Sequence, residues 1–141
     1  IKKEVVQKDE KEKNLRKVLN FGHTFAHAYE SALGYSKKLN HGEAVILGII
    51  SAAKFSYLNK FLSKSNLDKI IYHINNLNFD LNIKNFFRKK NIKFIINFMK
   101  MDKKNKTSKI NLILIKEIGK PIINNNFRIK KIETFLKKEL I

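Results

Sequence analysis

The 141-residue chain contains no cysteine, which excludes disulfides, thiolate metal sites and cysteine nucleophiles within it. Acids are scarce: 12 Asp and Glu stand against 30 Lys and Arg, giving a formal charge of +18 and a pI near 10.1. Such a balance first suggests nucleic acid. Yet recognition-helix and RNA-binding signatures are missing, as are aromatics regularly interleaved with arginine. The lysines are spread over almost every segment rather than gathered into one patch, so the charge reads as drift of the whole chain. It still favours an anionic ligand or nonspecific polyanion contact. A bilayer-spanning run of about 18 apolar residues is also missing; the longest apolar stretch, from Ala44 to Ala53, stops at Lys54. No secretory signal is visible, and the expectation is a soluble, cytoplasmic protein without a membrane or a specific nucleic acid as partner. Neither a Gly-rich dinucleotide fingerprint nor a Walker loop is present. The length suits one domain or a piece of a larger protein. Because the chain begins at Ile1 without methionine, a fragment or a region of something longer is expected.

What is present is concentrated between Arg16 and Glu43, where three of the four histidines fall: His23, His27 and His41. If helix runs unbroken from Glu12 to Glu30, then Glu12, Arg16, Asn20, His23, His27 and Glu30 share an arc of roughly 80°. Val18, Phe21, Phe25 and Tyr29 occupy the opposite half of the wheel. One face therefore carries imidazole, guanidinium, amide and carboxylate, and the other is apolar.

The remaining elements follow from periodicity and caps. A helix is expected from Glu10 to about Ala32, ended near Gly34. Asn40 with Glu43 three residues on predicts a capping box. It opens a second helix at His41 that is apolar around much of its circumference and belongs in the centre of the fold. Amphipathic helix is predicted from Leu67 to Leu77, a short helix around 81–90, and another from Ile92 to Met101 with Phe94, Ile95, Phe98 and Met101 spaced for burial. Residues 110–115 are the one good strand, Gly119 to Pro121 a turn, and Phe127 to Ile129 a short second strand. An amphipathic helix from Ile132 to Leu140 closes the chain. The architecture predicted is mainly α, a multi-helical domain with a short late β excursion.

Histidines at i and i+4 suit metal binding, but Thr24 follows His23 where a zincin would carry Glu, which disfavours a metalloprotease. Two neutral imidazoles and a carboxylate make a sound Zn²⁺ set with one position open. Glu12, Glu30 and Glu43 are the local carboxylates. The plainer alternative is that His23 and His27 are partly buried residues bonded to Glu30 and Asn20. His73 lies far from the stripe and reads as structural or exposed, and Lys103 with Lys104 as either a phosphate contact or solvated surface.

The run RKVLNFGHTFAHAYE followed by HGEAV resembles the C-terminal domain of the 3-dehydroquinate synthase family. The family pattern is an Arg, then LNFGHT-x-GH-x-x-E, then HGEAV-x-x-G, with a later DKK before a strand and an IG turn. Here these fall on Arg16, Leu19 to Glu30, His41 to Gly48, Asp102-Lys103-Lys104 and Ile118-Gly119. The upstream approach matches at Val5-Val6, Asp9-Glu10 and Glu12. Two positions depart: Ala26 replaces the usual glycine before His27, and Asn14 stands where glycine is preferred.

The resemblance implies the C-terminal half of a two-domain enzyme whose N-terminal NAD-binding domain is absent from these 141 residues. The family converts 3-deoxy-D-arabino-heptulosonate 7-phosphate, a small-molecule sugar phosphate, to 3-dehydroquinate and phosphate. It uses catalytic NAD and Zn²⁺, or another divalent metal such as Co²⁺. It further implies His23 and His41 as metal ligands, a third ligand from upstream of the chain, and catalytic roles for His27, Lys2 and Glu12. Arg16, Asn20 and one of Lys103 and Lys104 would contact substrate, and Glu30 and Glu43 would revert to support. The full enzyme would be a homodimer, and the isolated chain inactive. The alternatives are a related sugar-phosphate cyclase, a metal-dependent polyol dehydrogenase domain, or a non-enzymatic basic module binding polyanions.

Overall fold

The computed structural model describes residues 21–34, 38–77, 82–102, 109–117 and 120–141. Among the described residues the elements are five α-helices, two single 3₁₀ turns and one two-stranded sheet, as the mainly α expectation had it. Helix α1 spans His23–Ala32, α2 His41–Leu58, α3 Lys64–Asn75, α4 Ile92–Asp102 and α5 Ile129–Glu139; strands β1 (Lys109–Glu117) and β2 (Lys120–Arg128) pair antiparallel.

Helix α2 is the spine. Asn40 caps it as predicted: its side chain accepts from the Glu43 N–H at 2.8 Å, and the Glu43 carboxylate accepts from the Asn40 N–H at 3.2 Å. Its buried residues include Ala44, Leu47, Gly48, Ser51, Ala52 and Phe55, and α1, α3 and β1 all pack against it. Small residues let neighbours approach closely, and three aromatics fill the core beside them. Phe25, Phe55 and Phe135 meet edge to face, with centroids 5.3 to 6.3 Å apart, a favoured arrangement of ring quadrupoles. Polar ties are buried with this core. The Tyr29 hydroxyl shares a 2.7 Å hydrogen bond with the Ser51 hydroxyl, and burial pushes the Tyr29 phenol well above the usual phenol range. Ser56 donates to the Ala52 carbonyl at 2.7 Å and accepts from the Ile115 N–H at 3.1 Å, fastening β1 to α2.

Several boundaries and one face differ from expectation. Helix α3 starts at Lys64 because Ser63, accepting from the Asn66 N–H at 3.1 Å, caps it one turn early. The short helix expected at 81–90 resolves into two single 3₁₀ turns, Ile83–Asn85 and Lys89–Asn91. Side chains of Asn82 and Asn91 accept from the Lys84 and Arg88 N–H groups, satisfying local donors in place of a continuing helix. In α4 the buried set is Ile92, Ile95, Ile96 and Met99, whereas Phe94 and Met101 are 59% and 69% exposed. Both sets have helical spacing, and packing against α1 selects the isoleucine face. Strand β2 is far longer than Phe127 to Ile129, and Pro121, expected in a turn, pairs with Ile115. Pairing to β1 recruits its asparagines into the ladder, and Ile129 instead opens α5.

The largest correction concerns the first helix. It does not run unbroken to Ala32: residues 21 and 22 form a turn, Gly22 takes φ +80, and α1 begins at His23. The 80° arc assumed helix through Gly22, so it does not extend across that residue. The cause lies in α2. A Cβ on Gly22 would stand 2.8 Å from the Ile49 nitrogen and 2.9 Å from the Gly48 carbonyl carbon. A Cβ on Gly48 would in turn fall on the Gly22 carbonyl oxygen and 3.0 Å from the Ala26 methyl. Two glycines thus make the crossing of α1 and α2, one of them also supplying a left-handed turn that L side chains resist.

Candidate active site

That crossing fixes where the histidines stand. On α1, His23, His27 and Glu30 share an arc of roughly 60°, with His23 half-buried and His27 exposed. Their imidazoles stack, centroids 5.6 Å apart and planes inclined by 28°. On the other side of α1, Phe25, Ala26 and Tyr29 are fully buried. The Ala26 methyl, absent where the family pattern has glycine, fits because Gly48 faces it.

His41 is the first residue of α2, placed there by the Asn40 cap. Its Nδ1 lies 3.0 Å from Glu30 Oε1; the His41 side chain is 69% exposed and that of Glu30 only 11%. An open cavity of about 690 Å³ joins the two helices here, lined by His27, Glu30, Ser31, Gly34 and His41, with Phe98 and Met101 of α4 as its apolar wall. The structure therefore brings His27, Glu30 and His41 to one cavity. His23 is not among the residues lining it and meets it through the stack on His27.

Phe98 and Met101, expected in the core, are the contribution the sequence did not reveal; only the competition between two apolar registers of α4 hinted at it. Lys2, Glu12, Arg16, Asn20, Lys103 and Lys104 lie outside the described residues. His73 is exposed, far in sequence from this wall. A larger cavity of about 780 Å³, lined by Phe55, Phe127, Phe135 and several lysines, has no imidazole or carboxylate in its lining.

Imidazole donors suit Zn²⁺ and Co²⁺, and the donor set can be tested against such an ion. Among the described residues no group of three His, Cys, Asp or Glu is placed to hold a metal. The local carboxylates have other partners: Glu30 binds His41, and Glu43 closes the cap. Imidazole is the donor type the described residues contribute here, and a metal would need ligands beyond them. Among the described residues no helix is long and apolar enough to cross a membrane.

The fold is shared with about a third of 2-deoxy-scyllo-inosose synthase. A crystal structure of that enzyme with carbaglucose-6-phosphate, NAD+ and Co2+ superposes with a TM-score of 0.66 at 24% identity, covering 84% of this chain and 32% of that one. A second structure of the enzyme gives 0.64 at 21% identity over 84% and 31% of the two chains. Sequence places the chain more narrowly. The profile described as 3-dehydroquinate synthase C-terminal matches residues 1–105, and the chain belongs to that family. The 3-dehydroquinate synthase of Pelagibacter ubique (strain HTCC1062) is 58% identical over 140 residues, covering 99% of this chain and 38% of the relative. That of Dictyoglomus thermophilum (strain ATCC 35947 / DSM 3960 / H-6-12) is 46% identical over 136 residues, covering 96% and 37%. The chain thus spans a little over a third of the length of these curated relatives.

Proposed function

We propose that this chain is the substrate- and metal-binding part of a 3-dehydroquinate synthase, acting with an upstream domain that supplies the NAD site and a further metal ligand. The observation that carries the reading is the cavity where His27 meets the Glu30–His41 pair, in a chain of this family. The reaction proposed converts 3-deoxy-D-arabino-heptulosonate 7-phosphate to 3-dehydroquinate and phosphate. A divalent metal held by His23 and His41 would supply Lewis acidity toward a substrate hydroxyl, and NAD the hydride chemistry.

The chain's own residues supply binding and proton handling. Imidazole exchanges protons near neutral pH, which suits exposed His27 to a proton-transfer role at the cavity mouth. The Arg16 guanidinium suits bidentate binding of the substrate carboxylate, and Asn20 its hydroxyls. Lys2 and Glu12 join the catalytic set, and Lys103 or Lys104 contacts phosphate. Phe98 and Met101 wall one side of the cavity with apolar surface, limiting the water around charges that bind there. A homodimer is the proposed assembly of the full enzyme. A cyclase for a sugar phosphate lacking the carboxylate is the second reading, favoured by the shared fold with 2-deoxy-scyllo-inosose synthase; the family match and Arg16 favour the first.

The test joins the chain to its natural upstream sequence and follows phosphate release from the heptulosonate phosphate, with and without NAD and Zn²⁺. His23→Ala and His41→Ala are expected to lose both zinc and turnover, and His27→Ala to keep zinc and lose turnover. Full zinc content and full turnover in His23→Ala or His41→Ala would end the metal assignment.

A further inference from the structure

We infer that Glu30 is a positioning residue: it holds the His41 ring in the Nδ1–H tautomer, so that Nε2 carries the lone pair offered to the cavity. The inference rests on the proposed reading of His41 as a metal ligand and adds the group that prepares it. Geometry supplies the first part. Glu30 Oε1 lies 3.0 Å from His41 Nδ1, and an ionised carboxylate accepts hydrogen bonds and cannot donate them. The proton of that bond therefore sits on Nδ1, and a neutral ring then has its lone pair on Nε2.

Placement supplies the second part. Glu30 is in the last turn of α1, where a carboxylate gains nothing from the helix dipole. It is nearly buried, which an acid tolerates only with a partner. Among the described residues, that partner is an imidazole on the neighbouring helix. Its ring is largely exposed, so the bond orients a side chain that packing leaves loose. Carboxylates that receive the second ring nitrogen of a metal-binding histidine fix both its tautomer and its orientation.

The test uses the full-length protein carrying this chain, labelled with ¹⁵N-histidine and stripped of metal. Long-range ¹H–¹⁵N spectra read the His41 tautomer, assigned by the signal lost in His41→Gln. The wild type is expected in the Nδ1–H form. Glu30→Ala is expected to shift His41 toward the Nε2–H form that imidazole favours in water, and to weaken zinc binding, read by chelator competition, by about 10- to 100-fold. Glu30→Gln preserves shape but can donate as well as accept, so a mixed tautomer and a smaller loss are expected from it. Retention of the wild-type tautomer in a folded Glu30→Ala overturns the proposal. If His41→Gln keeps full zinc affinity, the metal reading fails instead, while the metal-free spectra still decide what Glu30 does to the ring.

Discussion

Replacing Gly48 with alanine sets helix propensity against packing, and the two predict opposite signs. Alanine is better than glycine within a helix by about 1 kcal/mol, and Gly48 lies inside α2, so propensity alone predicts stabilisation. The crossing predicts the reverse. The new methyl would land on the Gly22 carbonyl oxygen, 2.8 Å from the Ala26 nitrogen and 3.0 Å from the Ala26 methyl. The oxygen and nitrogen it strikes are partners in the 2.9 Å bond that closes the first turn of α1. Overpacking of this kind costs about 1–3 kcal/mol, and weakening the bond adds about 1 kcal/mol. Net of propensity, a loss of about 1–3 kcal/mol is expected, lowering the melting temperature by roughly 3–9 °C for a domain of this size. Thermal unfolding of the chain followed by circular dichroism measures it. Ala26→Gly in the same chain removes only one of the clashing groups, so partial recovery is expected. Gly34→Ala is the control: its φ is +64 but nothing lies within 4 Å of a new Cβ, so only the backbone term of about 1 kcal/mol applies. A Gly48→Ala protein that melts at or above the wild-type temperature would refute the close crossing.

Two further predictions concern the buried polar ties. Because the Tyr29 phenol titrates above its ordinary value of 10.0 when folded, the unfolded tyrosine ionises first as pH rises. Its contribution to stability is therefore whole below about pH 10 and falls above it by roughly 1 kcal/mol per pH unit. The stability gap between wild type and Tyr29→Phe, from urea titrations at pH 8 to 11, should shift against the wild type above pH 10; a constant gap contradicts the buried assignment. Ser56→Ala deprives the Ile115 N–H of its acceptor, costing about 1–3 kcal/mol. Amide exchange at Ile115 should accelerate in that variant more than at Ile110.

Where local chemistry decides structure, the sequence could be read closely. The Asn40–Glu43 box is complete within four residues, so α2 began where the pattern put it. The apolar circumference of α2 announced a central helix, and Ile110 to Ile115 announced β1. The larger errors share one cause, a distant partner. Gly22 takes a left-handed turn ahead of α1 because of Gly48, 26 residues away, and no window around Gly22 contains that information. The asparagines of β2 have poor strand propensity, and pairing with β1 overrides it. The choice between the Phe94 and Ile95 registers of α4 was made by α1. The histidine cluster was legible as residue types on one face. That Glu30 would serve His41 rather than complete a metal set depended on two helices meeting, which spacing alone does not encode.

The left-handed turn at Gly22 also changes what sets the aim of the imidazoles. In one continuous helix, a single residue inserted upstream would swing the histidine face by about 100° and carry it away from the cavity. Here α1 starts on a glycine pressed into α2, so His23 and His27 take their bearing from the floor beneath them. Length changes before Phe21 are then tolerated by the histidines, and a single methyl at Gly48 is not. The orientation of this wall is inherited from a helix that begins 18 residues after His23.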